Sequence, residues 1–319
     1  MVNKTKGMTL VELMVSMVIG LFLTAGLFSI FSMSSTNVTT TSQFNQLQEN
    51  GRIALTLMER DLSQLGFMGD MTGVDFVLGV NTRIGDNAVI GSSGDCVGAG
   101  FNNGTLPNRQ PAHFRRLWGY ESGVSTASLD CLTNVNNTTD VIQIKRLIGP
   151  AVSAGTSGAF YIEASAEQAI FFKEARGPVL AHSRIWEYQH SVYYIKDDAD
   201  GIPILRRKSL SATGMGNNEP LVEGIENMRF MYGFDNDGDR TADQFLPVQG
   251  VSDLMWDNAI FQRLVALRVH ILVRAIEPDS RYVNDVTYQL GDKSIAPTHD
   301  HFRRKVLSTT IVIENTVLQ

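Results

Sequence analysis

An apolar run opens the chain, from Met8 to Phe31, and Glu12 is its only charge. As a helix those residues span about 36 Å, enough to cross a bilayer. From Ser32 to about Asn50 the chain turns polar through a Ser/Thr cluster (Ser34, Ser35, Thr36, Thr39, Thr40, Thr41, Ser42), but no proline interrupts it. Apolar positions then recur at helical spacing. Ile53, Leu57, Leu62 and Leu65 line one face, while Glu59, Arg60 and Asp61 point mostly outward. Gly66 and Gly69 stop the pattern. The pattern predicts one helix over 8–66, bent in the Ser/Thr stretch rather than broken there, half in a membrane and half packed on a domain.

Residues 69–135 are rich in Gly, Asn and Ser and read as a loop-dominated insert with a few short strands, stapled rather than packed. From about residue 140, strand patterns dominate. Val141, Ile142 and Ile144 form one run, Phe160 to Ile162 another, and Ile170 to Phe172 a third. Trp186, Tyr188, His190, Val192 and Tyr194 alternate with more polar neighbours, as in a strand with one aromatic face. Val265, Leu267, Val269, Ile271 and Val273 alternate with Arg268, His270 and Arg274, the clearest half-buried strand in the chain. Val306, Ser308, Thr310 and Val312 give a last strand. The predicted class is α+β: a long N-terminal transmembrane helix that continues into an amphipathic helix packed on antiparallel β-sheet.

Composition adds limits. The 319 residues are 43% hydrophobic and 19% charged, which leaves room for a sizeable core. The formal net charge is -6, and would be -8 without Lys4 and Lys6. Such a balance disfavours a nonspecific nucleic-acid binder, and no nucleic-acid partner is expected. Two cysteines, Cys96 and Cys131, fit one disulfide if the domain lies outside the cytoplasm. The alternative is two unpaired thiols in a flexible loop.

Three readings compete for the N-terminus. A secretory signal peptide has a shorter apolar core followed by small residues, which Ala25-Gly26 fits poorly. A plain signal anchor accommodates Lys4 and Lys6 on the cytoplasmic side but gives Glu12 no purpose. The third reading rests on Lys4-Thr5-Lys6-Gly7-Met8-Thr9-Leu10-Val11-Glu12, which resembles a type IV prepilin leader. The resemblance implies cleavage between Gly7 and Met8 by a prepilin peptidase and N-methylation of Met8, with Met8 a departure from the commoner phenylalanine. A carboxylate buried in an apolar helix needs a positive partner. The resemblance supplies one for Glu12: the new α-amino group of Met8, or that of a neighbouring subunit. Residues 1–7 are then leader, 8–33 transmembrane helix, 34–68 amphipathic helix, and 69–319 a domain with the insert 69–135.

Four further pieces narrow the family: Gly51-Arg52-Ile53-Ala54-Leu55 running on to Gly66-Phe67, Met231-Tyr232-Gly233-Phe234-Asp235-Asn236-Asp237-Gly238-Asp239, Trp256 with Val265 to Arg274, and Arg303 to Asn315. In this order they resemble PilW-type minor pilins, related to J-type minor pseudopilins of type II secretion. Glu314 stands where that family usually has arginine. The resemblance implies a pilin-like fold and a low-abundance subunit that helps start or cap a type IV pilus. It implies an inner-membrane, single-pass protein whose C-terminal domain lies in the periplasm and later in the extracellular pilus. Its partners would be other minor and major pilins and the inner-membrane assembly platform. The rivals are a type II pseudopilin, which needs the same leader and helix, and a pilus-tip adhesin or DNA-uptake component, which needs an exposed aromatic or basic patch within 69–220.

One constellation suggests site chemistry. Asp235, Asp237, Asp239 and Asp243 fall at alternate and near-alternate positions around Gly238. Such carboxylates converge on a hard cation, and calcium takes six to eight oxygens. The loop lacks the glycine and the bidentate glutamate of an EF-hand and resembles shorter calcium loops. A solvated acidic turn is the alternative. His299 and His301 read as a surface turn, His270 as structural, and Arg303, Arg304 and Lys305 as a solvated strand edge, with a phosphate or DNA contact the sharper alternative. The glycines Gly94, Gly98, Gly100 and Gly104 lack the spacing of a nucleotide loop. No nucleophile elbow is present, and nothing in the sequence supports catalysis.

Overall fold

The computed structural model describes residues 7–315, apart from 72–74, 92–93, 101–102, 109–112 and the side chain of Thr36. Contacts divide the chain into two compact units, 1–46 and 47–319. Helix α1, Leu10–Leu62, is one uninterrupted element that runs through the Ser/Thr cluster without a break. In the first unit it holds an 18-residue window of mean hydropathy 2.3, none of it buried.

In the second unit α1 is amphipathic, on a stripe partly different from the predicted one. Leu47, Ala54, Leu55, Met58 and Leu62 are buried, followed by Leu65 beyond the helix end. Ile53 is exposed, and Asp61, expected outward, is buried. The i, i+3, i+4 stripe from Leu47 passes through Asp61, where long-range partners offset the charge. Asp61 Oδ1 accepts from Arg146 Nη2 at 2.7 Å and Oδ2 from the Tyr193 hydroxyl at 2.5 Å. Gly51 lies on the same stripe, where an added Cβ would stand 2.3 Å from Leu307 Cδ1 and 3.0 Å from Val273 Cγ2. A larger residue here would have to displace the Leu307 side chain, so glycine suits the close approach.

Eight strands form the larger sheet: β1 Thr82–Ile84, β2 Leu117–Glu121, β3 Asp140–Val152, β4 Tyr161–Ala164, β5 Ala169–Phe172, β6 Arg184–Asp197, β7 Pro203–Ser211 and β8 Gly214–Glu223. Their order is β1-β5-β4-β6-β3-β2, with β7 on β6 and β8 on β7. Pairing is antiparallel except for β1, which lies parallel to β5. The second sheet contains β9 Ile225–Asp235, β10 Gln244–Pro247, β11 Arg263–Arg274 and, after the hairpin β12 Tyr288–Leu290 and β13 Lys293–Ile295, β14 Arg304–Val312. Its order is β10-β9-β11-β14, antiparallel throughout. A single turn, α2 Asp253–Trp256, is capped by Ser252, whose side chain accepts from the Met255 amide.

The β11 expectation agrees with the structure: Val265, Leu267, Val269, Ile271 and Val273 are buried, with Arg268 and His270 between them less so. Strand β6 departs from its one aromatic face. Its segment from His190 to Ile195 is buried on both faces, with His190 against Thr105 of the insert and Tyr193 against Asp61 of α1. The insert also differs from its loop reading, since it is packed as well as stapled. Cys96 and Cys131 are joined, with Cα atoms 4.9 Å apart. Phe76, Ala88 and Phe114 build a second core with Phe171, Trp186 and Tyr188. His190 is buried beneath the insert, its ring nitrogens 2.8 Å from Thr105 Oγ1 and 2.7 Å from Gln143 Nε2. Composition hid this packing because the few large side chains that form it are scattered among turn residues.

Two arginines join distant segments. Arg229 on β9 uses all five of its N–H donors. Nη1 reaches Glu121 at 2.8 Å and Asp140 at 2.9 Å, Nε and Nη2 each reach Asp292 at 2.8 Å, and Nη2 reaches Gln249 at 2.9 Å. Arg304, read from the sequence as part of a solvated edge, is buried instead. It pairs with Asp300 at 2.7 Å and with Glu226 at 2.5 Å. Hydrogen bonding from Arg304 holds the Asp300 carboxyl down to about 2. An aspartate so depressed stabilises the fold above its ordinary value near 4 and loses that contribution as pH falls towards 2. Urea midpoints measured across pH 2–5 are expected to fall through this window, and the Asp300→Asn variant to lack this part of the decline.

Candidate assembly site

Gly7, Met8 and Thr9 precede the first turn of α1, and all three are exposed. The leader residues before Gly7, with Lys4 and Lys6, lie outside the described residues. Helix α1 begins with a reciprocal cap. The Thr9 carbonyl accepts from the Leu13 amide at 3.1 Å, which makes Thr9 the cap residue. Its hydroxyl accepts from the Glu12 amide at 3.3 Å. In return Glu12 Oε2 accepts from the Thr9 amide and the Thr9 hydroxyl, each at 3.1 Å. This Thr-x-x-Glu arrangement is a capping box, and it satisfies amides that a helix end leaves unpaired. The sequence carried its signal, a threonine three residues ahead of an acid before an apolar run, but Thr9 was not singled out. From Leu10 to Phe31 the large apolar side chains are exposed, Phe22 by 76% and Phe28 by 74%. Such a surface is stable in lipid or against other apolar helices and unstable in water.

The chain resembles known families in two places. Residues 2–28 match the prokaryotic N-terminal methylation motif, and residues 192–315 match the family described as Type IV Pilus-assembly protein W. The last third of the chain is thus similar to a PilW domain, and its N-terminus to a pilin-type methylation motif. No curated protein and no solved structure matches it. The motif covers Gly7, Met8 and Glu12. The PilW domain runs from mid-β6 through β14, so it contains the second sheet, the Asp235 loop and Arg304. Together the matches support a type IV pilus-related minor pilin role, with pilins and assembly components as partners. The motif and the apolar helix fit single-pass anchoring with a C-terminal domain.

The other residues singled out in the sequence are distributed as follows. Asp235, Asp237 and Asp239 converge, with one carboxylate oxygen of each within 4.8 Å of the others. Asp243 turns to another task and accepts from the Asn236 amide at 2.6 Å. Asp235 is buried and already accepts three amides, from Asp237, Gly238 and Arg240, at 2.6–3.0 Å. The Gly238 amide first, then those of Arg240 and Asp237, hold its carboxyl below the usual carboxylate range. Asp239 accepts from the Thr241 amide and hydroxyl. His299 pairs with Asp285 and His301 with the Tyr282 carbonyl, so the two imidazoles have separate partners. His270 is half-buried on β11, Arg303 pairs with Asp279, Lys305 reaches Gln48, and Glu314 is exposed.

Calcium at the Asp235 loop stays a proposal that rests on this convergence. A cation there would share Asp235 with three amides. Calorimetric titration of the full chain in detergent tests it. Saturable heat at or below millimolar calcium, lost in Asp237→Asn, supports binding, and no heat assigns the loop to turn chemistry.

Proposed function

We propose that this protein is a minor pilin that helps initiate or cap a type IV pilus by packing against other subunits. The carrying observation is the union of a fully exposed apolar helix, beginning at the Thr9–Glu12 capping box, with a PilW domain on the same chain. Prepilin peptidase cleaves after Gly7, Met8 is methylated, and the C-terminal domain lies in the periplasm before entering the pilus. The apolar helix passes from lipid to a bundle of like helices with little change in its surroundings, so the transfer is not opposed by exposure to water. Glu12 resists this environment unless a positive group meets it, and the α-amino group created by cleavage is such a group. A minor pseudopilin of type II secretion shares this physics.

A deletion strain examined together for surface pili, twitching and protein secretion separates the two. Loss of pili with secretion intact supports the pilus reading, and the reverse sinks it. Glu12→Ala is expected to insert in the membrane normally and to be recovered in sheared filaments at a tenth of the wild-type level or less. Gly7→Val should keep the unprocessed mass. A mature mass in that variant would count against cleavage after Gly7.

A further inference from the structure

Two adjacent arginines precede β2, and only one of them is satisfied. Arg115 holds the α2 segment: Nε donates to Asp257 at 2.6 Å and Nη2 to Asp253 at 3.0 Å. Arg116 is equally buried, at 3% exposure, yet its Nε and Nη2 have no hydrogen-bond partner among the described residues. These two nitrogens share one edge of the guanidinium, the edge that a carboxylate engages with two parallel hydrogen bonds.

The nearest acid does not fill this role. Asp75 stands 3.9 Å from Arg116 Nη2, beyond hydrogen-bond range. Its oxygens are engaged elsewhere, with His113 Nδ1 and the Phe114 amide each at 2.9 Å from Oδ2, and the Phe76 amide at 2.9 Å from Oδ1. Asp75 therefore offsets the charge without satisfying the donors. Burial pushes the Arg116 guanidinium down to about 10, against the pull of Asp75. The cost of a buried cation falls sharply when an anion supplies both attraction and hydrogen bonds.

Arg116 forms part of the wall of a small cavity of about 40 Å³, with His113 and Asn258 as its other polar members and Leu65, Phe234 and Trp256 among its apolar ones. A single water needs about 10–15 Å³ of such space, so the cavity admits a small polar group. Leu254 and Phe261, on the segment that contributes Met255, Trp256 and Asn258 to the wall, are exposed by 57% and 66%. A desolvated arginine in the wall of a largely apolar cavity is the composition of an interface anchor.

We propose that the Arg116 cavity is a docking pocket for a carboxylate side chain of a partner polypeptide, with Leu254 and Phe261 meeting the apolar residues beside that acid. The partner's identity as a pilus subunit rests on the function proposed above, but the pocket chemistry does not. A deletion strain with normal pili would remove the subunit reading and leave a binding result standing.

The test uses the full chain in detergent at constant ionic strength, reading the Trp256 emission that disappears in Trp256→Phe. Sodium acetate should give a saturable change that sodium chloride does not. The peptide acetyl-Leu-Glu-Leu-amide should bind at least tenfold more tightly than acetate, and its Gln counterpart at least tenfold more weakly than the Glu peptide. Arg116→Met should abolish both responses with the circular dichroism of the fold retained. Should that variant fail to fold, the Leu254→Ala/Phe261→Ala pair decides, because exposed residues can be truncated safely. It should weaken the peptide severalfold and leave acetate unchanged. No saturable change, an equal response to chloride, a folded Arg116→Met that still responds, or equal binding of the Glu and Gln peptides overturns the pocket. A peptide no tighter than acetate, or indifferent to the paired variant, overturns the polypeptide partner.

Discussion

The burial of one helical stripe is the constraint on which the rest of the domain depends. From Leu47 to Leu65 the chain sets Leu, Ala, Met and Leu against two sheets at once. Gly51 places the helix backbone against Leu307 and Val273 of the second sheet, while Asp61 fastens its end to Arg146 and Tyr193 of the first. The apolar area sequestered supplies most of the favourable energy, and the ion pair fixes rotation about the helix axis. Asp61 without Arg146 would keep only the Tyr193 hydroxyl and the longer approach of Arg207, at 3.7 Å, to offset its charge in the core. From Leu10 to Phe31, ahead of the Ser/Thr cluster, the same helix is predominantly apolar and is suited to lipid or to other helices rather than water.

Much of the architecture was legible because it rests on short-range periodicity. The α1 run, the alternation of Val265 to Val273 on β11 and the final strand each carry their pattern within a dozen residues. The errors arose where the deciding partner is distant. Asp61 read as outward because nothing nearby announces Arg146, and Arg304 read as solvated because Glu226, which pairs with it besides the nearby Asp300, lies 78 residues away. Periodicity alone assigns a charge to the solvent, and a long-range ion pair reverses that assignment. The insert posed the opposite problem: its Gly and Asn content describes the backbone turns correctly and conceals the aromatic residues packed between them.

The candidate site was legible in part. Gly7, Met8 and Glu12 could be found from the resemblance and from the cost of a charge among apolar residues. Thr9 needed a separate local rule, the pairing of a cap hydroxyl with an acid three positions on. The four aspartates were visible as a group, but spacing could not show that Asp243 would turn towards Asn236 while the other three converge. Arg116 was beyond sequence reading altogether. Its character comes from what the fold fails to place beside it, and no run of residue types encodes that.

Arg229 carries a consequence for how the domain yields to stress. Its five donors reach β2, β3, the β12–β13 turn and the segment after β10, so a single cation belongs to both sheets. Peeling the sheets apart would part Arg229 from Glu121 and Asp140 and break both ion pairs together. Opening between the sheets therefore breaks several bonds of one residue at once, which couples the two layers. A domain joined in this way transmits a pull applied to one sheet into the other, instead of letting the layers slip past each other.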